Sequence, residues 1–257
     1  AWSGRSALAR FLTFGRRDVS PAALAADRRI LRVLGSFGVA LAIAFHGSVG
    51  AIFGVVAARP YWNSALTPIM FLAGALLSGG ALLTFITAIW GPEPGSQIHR
   101  DLMRFLGQIV LGLLALDVLL EWAEFSIGLW NGTPGEAASL LLVLFGPYWW
   151  AFWIIHVGFG VIVPAILLIF LRRKVWAVAT AGALIAATFL AVRLNIVIPG
   201  LAIPELPGLE AAFHGPGLST NYVPSLSEWL LFVWAIGLAS LIFLIGRRVL
   251  PIIHTER

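Results

Sequence analysis

The chain has 257 residues, of which 60% are hydrophobic and only 11% are charged, with a formal net charge of +5 and a mean hydropathy of +0.93. A soluble domain does not need this much apolar surface, so the composition indicates an integral membrane protein. Cysteine is absent, which excludes disulfides, thiolate-bound iron–sulfur clusters and cysteine zinc sites from this chain.

Six apolar stretches are long enough to cross a bilayer, which takes about 20 helical residues. They cover residues 33–57, 65–90, 103–129, 148–171, 175–197 and 228–250. The segment 137–146 is too short to span, and we expect it to lie at the interface or to extend the fourth helix. The sequence therefore predicts an all-α polytopic bundle over residues 31–257, with about six transmembrane helices, preceded by a basic segment over residues 1–30.

The basic residues fall mainly on one side of this predicted bundle. Of the 17 lysines and arginines, only Arg59 falls on the opposite side and only Arg193 lies within a span. Loops rich in lysine and arginine are retained in the cytoplasm, so both termini are predicted to be cytoplasmic. The basic balance thus reflects membrane topology, and we expect no nucleic-acid partner.

The longest connection, residues 199–227, is predicted on the outer side. It is rich in proline and glycine and has no obvious helix or strand of its own. Connections of this length are usually functional or disordered. Its apolar side chains favour a docking surface for a partner protein, with a solvated linker as the alternative.

Ionisable residues within the spans are costly unless they face protein or water, and they often mark a site. Six stand out: His46, Asp117, Glu121, Glu124, His156 and Arg193. Asp117, Glu121 and Glu124 are spaced i, i+4 and i+7, so they form a stripe of carboxylates on one helical face. We expect at least two of the six groups to share a cavity.

Each of these residues also has a purely structural explanation. Glu124 could extend its carboxylate to the interface, Glu121 could form a buried ion pair with Arg193, and His46 and His156 could simply be hydrogen-bonded. Asp117 is harder to explain in this way. An aspartate at that depth suggests a proton-carrying group or the partner of another polar residue.

A family resemblance starts in the first predicted helix pair. Residues 45–83, FHGSVGAIFGVVAARPYWNSALTPIMFLAGALLSGGALL, resemble the central helix pair of polysulfide-reductase-type membrane subunits, the NrfD-like family. Three later features look like the longer members of that family: FWIIHVGFGVIVPAILL at 152–168, the region around Arg193, Asn195 and Gly200, and Tyr222-x-Pro224-Ser225-x-x-Glu228. The resemblance covers most of the chain from about residue 30 onward.

The resemblance implies a membrane anchor, multi-pass in a bacterial inner membrane, that exchanges electrons between a pool of menaquinone or ubiquinone and an iron–sulfur subunit. A molybdopterin or multihaem catalytic subunit would lie beyond, and the anchor itself would carry no metal. His46 stands where shorter members have a tyrosine close to the quinone. Further helices precede this motif in the family, and a longer chain or another membrane subunit would supply them. Tyr222 and Glu228 are candidates for docking a partner.

Quinol oxidation releases two electrons and two protons, so it needs an apolar pocket with hydrogen-bond partners and a titratable route for protons. We predict that His46 and His156 bind the quinone, that Asp117, Glu121 and Glu124 transfer protons, and that Arg193 is their charge partner. Two other classes stay open. His46 and His156 would be the axial ligands of a b-type haem in a membrane cytochrome, and the buried charges would line the path of a secondary transporter.

Overall fold

This computed structural model describes residues 20–204 and 222–249, together with the isolated residues Phe11, Gly208, Ala212 and Gly215. Within these residues, all regular secondary structure is helical. The helices are α1 Pro21–Gly54, α2 Thr67–Trp90, α3 Gln97–Asn131, α4 Pro134–Phe145, α5 Ala151–Phe170, α6 Val175–Ala202 and α7 Leu226–Val249. Six of them, all but α4, are long and apolar enough to cross a membrane. The predicted all-α polytopic fold is confirmed.

Two short polar connections fix where the central helices begin. Before α3, Gly95 adopts a positive φ of 87°, and the Ser96 hydroxyl accepts a hydrogen bond from the backbone N–H of His99 at 3.0 Å. Before α4, the Thr133 hydroxyl accepts from the N–H of Glu136 at 3.4 Å, and Pro134 occupies the first turn, where a missing N–H costs nothing. The helix α4 ends at Gly146, so the expectation that this segment extends the fourth span is wrong.

The helix α5 changes its hydrogen-bonding pattern along its length. Residues Ala151–Ile162 are π-helical, and Val163–Phe170 are α-helical with Pro164 in the first turn. In a π-helix the hydrogen bonds run from i to i+5, and such segments are often found at functional sites. The π-helical part carries His156.

The chain forms two compact units, residues 45–223 and the flanking residues 1–44 with 224–257. In the first unit, α2, α3, α5 and α6 pack around a continuous core. Its buried members are Leu77, Ala81, Met103, Val110, Leu114, Leu168, Val178, Ala181 and Ile185. In the other unit, the apolar side chains of α7 are exposed along its length, as expected where lipid replaces a protein core.

The helix α6 continues through a proline. Pro199 lies inside it and the helix reaches Ala202, so the expectation that a loop begins at residue 199 is wrong. An internal proline removes one hydrogen bond and normally breaks a helix. Here side chains of the loop between α1 and α2 compensate. Most of the predicted outer loop, residues 205–221, falls outside the described residues apart from its isolated glycines and alanine.

Candidate functional site

The loop between α1 and α2, residues 55–66, contacts α6 at its proline. Pro199 has no N–H to donate to the carbonyl of Asn195, four residues earlier. The Tyr61 hydroxyl donates a hydrogen bond to that carbonyl oxygen at 3.3 Å. The loop thereby satisfies the acceptor that the proline leaves free, which explains how the helix continues.

Two further side chains of the loop attach to the same end of α6. Trp62 donates from Nε1 to the carbonyl of Ile196 at 2.8 Å, and Arg59 donates from Nη1 to the carbonyl of Ile203 at 2.7 Å. The indole of Trp62 lies directly over Gly200, where an added Cβ would come within 2.8 Å of three of its ring atoms. Only glycine at position 200 leaves room for the Trp62 ring, so this position of α6 fits the loop.

Tyr61 is half-buried beside two carboxylates. Burial raises the pKa of the Tyr61 phenol well above its ordinary value, and the negative charges of Glu121 and Glu124 raise it further. The phenol therefore keeps its proton at every physiological pH. It acts as a permanent hydrogen-bond donor at the edge of the site.

The loop, α2, α3 and α6 enclose a cavity of about 60 Å³. Its walls are largely apolar and aromatic, and its polar groups are concentrated on α3 and at one position of α6. The lining residues are Tyr61, Trp62, Thr67, Met70, Phe71, Asp117, Glu121, Glu124, Phe189, Val192, Arg193 and Ile196. This volume has room for several ordered waters, each of which needs polar partners such as these carboxylates.

Four of the six ionisable residues singled out in the spans line this one cavity. They are Asp117, Glu121, Glu124 and Arg193, so the expectation that at least two share a cavity is confirmed. The three acids come from one face of α3, as their spacing predicts. Their interior position makes an aqueous or protein partner necessary for each charge.

Glu121 is paired with His156. The Nε2 atom of His156 lies 2.9 Å from Oε2 of Glu121, and the His156 side chain is 6% exposed while that of Glu121 is 22% exposed. The imidazole also packs against the ring of Phe152, with 5.8 Å between ring centroids. The pair joins α3 to the π-helical part of α5, and a proton can be shared between its two members.

The guanidinium of Arg193 packs against two aromatic rings. Its Cζ atom lies 4.3 Å from the ring centroid of Phe71 and 5.1 Å from that of Phe189, both within the range of a cation–π contact. The guanidinium also interacts electrostatically with Asp117. Arg193 and Asp117 line the same cavity, whereas Glu121 has His156 as its hydrogen-bond partner.

Glu124 is buried rather than extended to the interface. Its relative exposure is 9%, and its Oε2 atom accepts a hydrogen bond from the Ser64 hydroxyl of the loop at 3.3 Å. The carboxylate of Glu124 is therefore held inside the protein by the loop. The Ser64 hydroxyl thus gives a buried carboxylate the hydrogen-bond donor that it needs. The positions of the charged residues in the sequence do not indicate this contact.

His46, Tyr222 and Glu228 are not among the residues that line the cavity. His46 is half-buried on α1, with its ring in edge contact with Phe45 at 5.3 Å. The Tyr222 side chain is 43% exposed, and its carbonyl accepts a hydrogen bond from the Tyr148 hydroxyl at 2.6 Å. Glu228 accepts from the N–H of Ser225 at 2.7 Å and from its hydroxyl at 2.8 Å. This is the reciprocal arrangement of a capping box, so Glu228 helps to begin α7.

Sequence reasoning missed the contribution of the loop. Tyr61, Trp62 and Ser64 all reach the site or its supporting helix end, but none is charged or lies within a predicted span. The signal that could have found them is the segment Arg59-Pro-Tyr61-Trp62-Asn63-Ser64 itself. Polar and aromatic residues concentrated in a short loop on a rigid scaffold are typical of functional positions.

These features define a multi-pass membrane protein with a charged internal cavity. The family described as polysulphide reductase, NrfD, matches residues 10–205, and the chain belongs to this family. The resemblance inferred from the motifs is confirmed.

Relatives with known names cover most of this chain. A selenate reductase subunit of Mesobacillus selenatarsenatis is 36% identical over 228 residues, which are 88% of this chain and 53% of that protein. The Hdr-like menaquinol oxidoreductase integral membrane subunit of Archaeoglobus fulgidus is 30% identical, over 86% of this chain and 58% of the relative. Protein NrfD of Escherichia coli is 27% identical over 56% of this chain and 44% of the relative. The chain spans about half the length of the curated relatives it matches.

Proposed function

We propose that this chain is the membrane subunit of a quinone-linked respiratory oxidoreductase, which exchanges electrons between a quinone pool and an iron–sulfur partner subunit. Family membership supports the proposal, and so does the similarity to a protein named as a menaquinol oxidoreductase membrane subunit. The chain contains no cysteine, so a thiolate-bound cluster would belong to the partner. The similarity to the archaeal subunit favours menaquinone over ubiquinone.

The observation that carries the proposal is the unequal charge of the cavity. Asp117, Glu121 and Glu124 line it together with one fixed cation, Arg193. Isolated charges are expensive in a membrane interior, so the excess of acidic groups must be offset by protons or by hydrogen-bond donors. A cavity of this kind stores and releases protons, which is what the oxidation or reduction of a quinone requires.

The residues present fit a quinone head group in kind. When bound, the quinone supplies the two-electron, two-proton chemistry, and the chain supplies the surroundings. Phe71, Phe189 and the aliphatic lining residues offer apolar walls, and the hydrogen bond of Tyr61 to the Asn195 carbonyl holds its ring at one edge. The paired His156 and Glu121 would accept or return a proton at Nε2 or Oε2.

Other parts of the chain would serve the same complex. His46 on α1 is the proposed hydrogen-bond donor to a quinone carbonyl, as the family resemblance implies. Tyr222 and Glu228 would contribute to a docking surface for an iron–sulfur or a molybdopterin or multihaem subunit. We place the protein in a bacterial inner membrane with both termini cytoplasmic, and further helices would come from a longer chain or another membrane subunit.

A b-type haem between His46 and His156 is less well supported by the geometry. An axial imidazole must offer a ring nitrogen to the iron. The Nε2 atom of His156 faces the Glu121 carboxylate at 2.9 Å. The arrangement therefore favours a role in proton transfer over ligation.

The proposal is tested by purifying the tagged chain in mild detergent with whatever subunits accompany it, and by following quinol oxidation. We expect stoichiometric recovery of a cysteine-rich iron–sulfur protein and a quinol-dependent electron flow. Asp117→Asn should lower the turnover roughly 100-fold, the usual contribution of a positioned proton-transfer group, while the complex still assembles.

Asp101→Asn is the matched control, because it makes the same substitution on the same helix. Asp101 is exposed, and its carboxylate accepts from the Gln97 side chain at 2.9 Å. This variant should turn over at the wild-type rate. Recovery of the chain without redox partners and without quinol oxidation would refute the proposed function, and wild-type turnover of Asp117→Asn would remove that residue from the proton route.

A further inference from the structure

The face of α3 that carries the three carboxylates continues past Glu124. Asp117, Glu121 and Glu124 are followed on the same helical face by Gly128, at i+4 from Glu124. That position lies about 6 Å further along the helix axis. The residue there has no side chain, yet the space over it is filled.

The space over Gly128 is shared by the Leu140 side chain, whose Cδ1 would lie 2.5 Å from an added Cβ, and the carboxylate of Glu136. A Cβ added to Gly128 would lie 2.8 Å from Oε1 of Glu136, and a Cβ added to Gly132 would lie 2.8 Å from its Oε2. Real Cβ atoms are essentially never this close to another heavy atom. The Glu136 carboxylate therefore packs against the backbone of α3, in line with the three acids that precede it.

Local structure holds Glu136 in this place. It lies in the first turn of α4, where its N–H donates to the Thr133 hydroxyl at 3.4 Å. The connection between α3 and α4 is only two residues long, Gly132 and Thr133. The short connection folds the first turn of α4 back onto the last turn of α3, so the position of Glu136 is fixed by the fold.

Burial decreases from Glu124 to Glu136. Glu124 is 9% exposed, whereas Glu136 is only half-buried and follows the exposed residues Thr133 and Pro134. The two carboxylates are close enough to interact electrostatically. Glu136 thus lies beside the exposed connection between α3 and α4, at the end of the stripe.

We infer that Glu136 exchanges protons between the buried carboxylates of α3 and the aqueous phase, an inference that rests on the proposed function. In the outward direction, the O–H bond of a protonated Glu124 breaks as its proton passes to an intervening water, and a proton of that water forms an O–H bond on the Glu136 carboxylate. Glu136 then gives the proton to bulk water or buffer. Charge and atoms balance at each step, and uptake is the reverse.

The test uses the intact purified complex, with quinol oxidation followed in a bulky buffer that does not enter the protein. Glu136→Gln should lower the turnover roughly tenfold, since it removes a proton-transfer group. Glutamine still serves in the first turn of a helix as glutamate does, so folding is preserved. Added acetate, a small weak acid, should restore the rate of the variant while leaving that of the wild type unchanged.

A second pair of variants acts without touching the carboxylate. Gly128→Ala places a methyl group where Glu136 and Leu140 now lie, so it should displace the carboxylate and lower the turnover in the same acetate-sensitive way. Gly112→Ala on the same helix meets nothing within 4 Å and should leave the rate unchanged. Should Glu136→Gln fail to assemble, Gly128→Ala and the shorter acid in Glu136→Asp carry the test.

Each outcome decides the inference. Wild-type turnover of Glu136→Gln, or a slow rate that acetate does not relieve, would overturn it and leave the proposed function intact. A wild-type complex with no quinol-dependent turnover would overturn both, and this is known before any variant is compared.

Discussion

One face of α3 passes through two regions of opposite character. Its first half contributes Met103, Val110 and Leu114 to the apolar core, and its second half contributes Asp117, Glu121 and Glu124 to the cavity. With the buried Gly107 between Met103 and Val110, the spacing of three and four residues continues without interruption from one half to the other. The helical period thus decides which residues face inward, while the residue type decides whether the inward face forms a core or a site.

The two regions also differ in what completes them. The apolar half is filled by side chains of α2, α5 and α6, and it needs nothing but matching shape. The charged half needs a donor or a counter-charge for each acid, and it takes them from other segments: Ser64 from the loop, His156 from α5 and Arg193 from α6. A charged interior therefore depends on more of the chain than an apolar one does.

The largest loss of stability is expected when an acid is placed in the apolar half of α3. Val110 is 1% exposed, and Val110→Asp would bury a carboxylate that has no donor prepared for it. We expect a loss of about 3 kcal/mol or more in the free energy of unfolding. Val110→Thr is the control, because it keeps the shape and its hydroxyl can bond within the helix. Reversible unfolding in mixed detergent measures both, and equal stability of the two variants would contradict the comparison.

A smaller effect is expected from separating the pair in the charged half. Glu121→Gln or His156→Gln alone leaves one buried polar group with an altered partner, at a cost of about 1–3 kcal/mol in unfolding free energy. The double variant should cost little more than either single one, because the two residues act together. A double-mutant cycle in the same unfolding assay measures this coupling. Strictly additive losses would mean that the 2.9 Å contact contributes nothing.

The smallest effect concerns the loop. Tyr61→Phe removes the donor to the Asn195 carbonyl and should cost about 1 kcal/mol. The loss should be local, so amide hydrogen exchange at the end of α6 should become faster. Tyr148→Phe removes a comparable bond to the Tyr222 carbonyl and should leave exchange in α6 unchanged. Equal exchange of wild type and Tyr61→Phe would show that the proline does not depend on the tyrosine.

The stripe and the spans could be predicted because they depend on local periodicity. The i, i+4 and i+7 spacing places three acids on one face of a helix whatever else the chain does, and apolar length identifies a span. The partners of those acids could not be predicted from the sequence. Glu121 was expected to pair with Arg193. Its pairing with His156 instead depends on how each helix is rotated about its axis, which a single sequence does not specify.

The contribution of the loop was missed for a related reason. Tyr61 and Asn195 are 134 residues apart, and their contact follows from tertiary packing rather than from propensity. Pro199 suggested the end of a helix by the usual rule, yet the helix continues because the loop satisfies the carbonyl. The π-helical pattern of α5 likewise has no signature in composition, since its residues would suit an ordinary apolar helix equally well.

The contact between Trp62 and Gly200 constrains the evolution of the two segments together. The indole occupies the volume that any larger residue at position 200 would need, so a change at one position is neutral only if the other changes with it. The shape of the loop and that of the end of α6 therefore depend on each other, although 134 residues separate Trp62 from the carbonyl that it binds. Transferring the loop alone into a relative would bring the Trp62 indole without the glycine that leaves room for it. Transferring the end of α6 alone would bring the glycine without the indole.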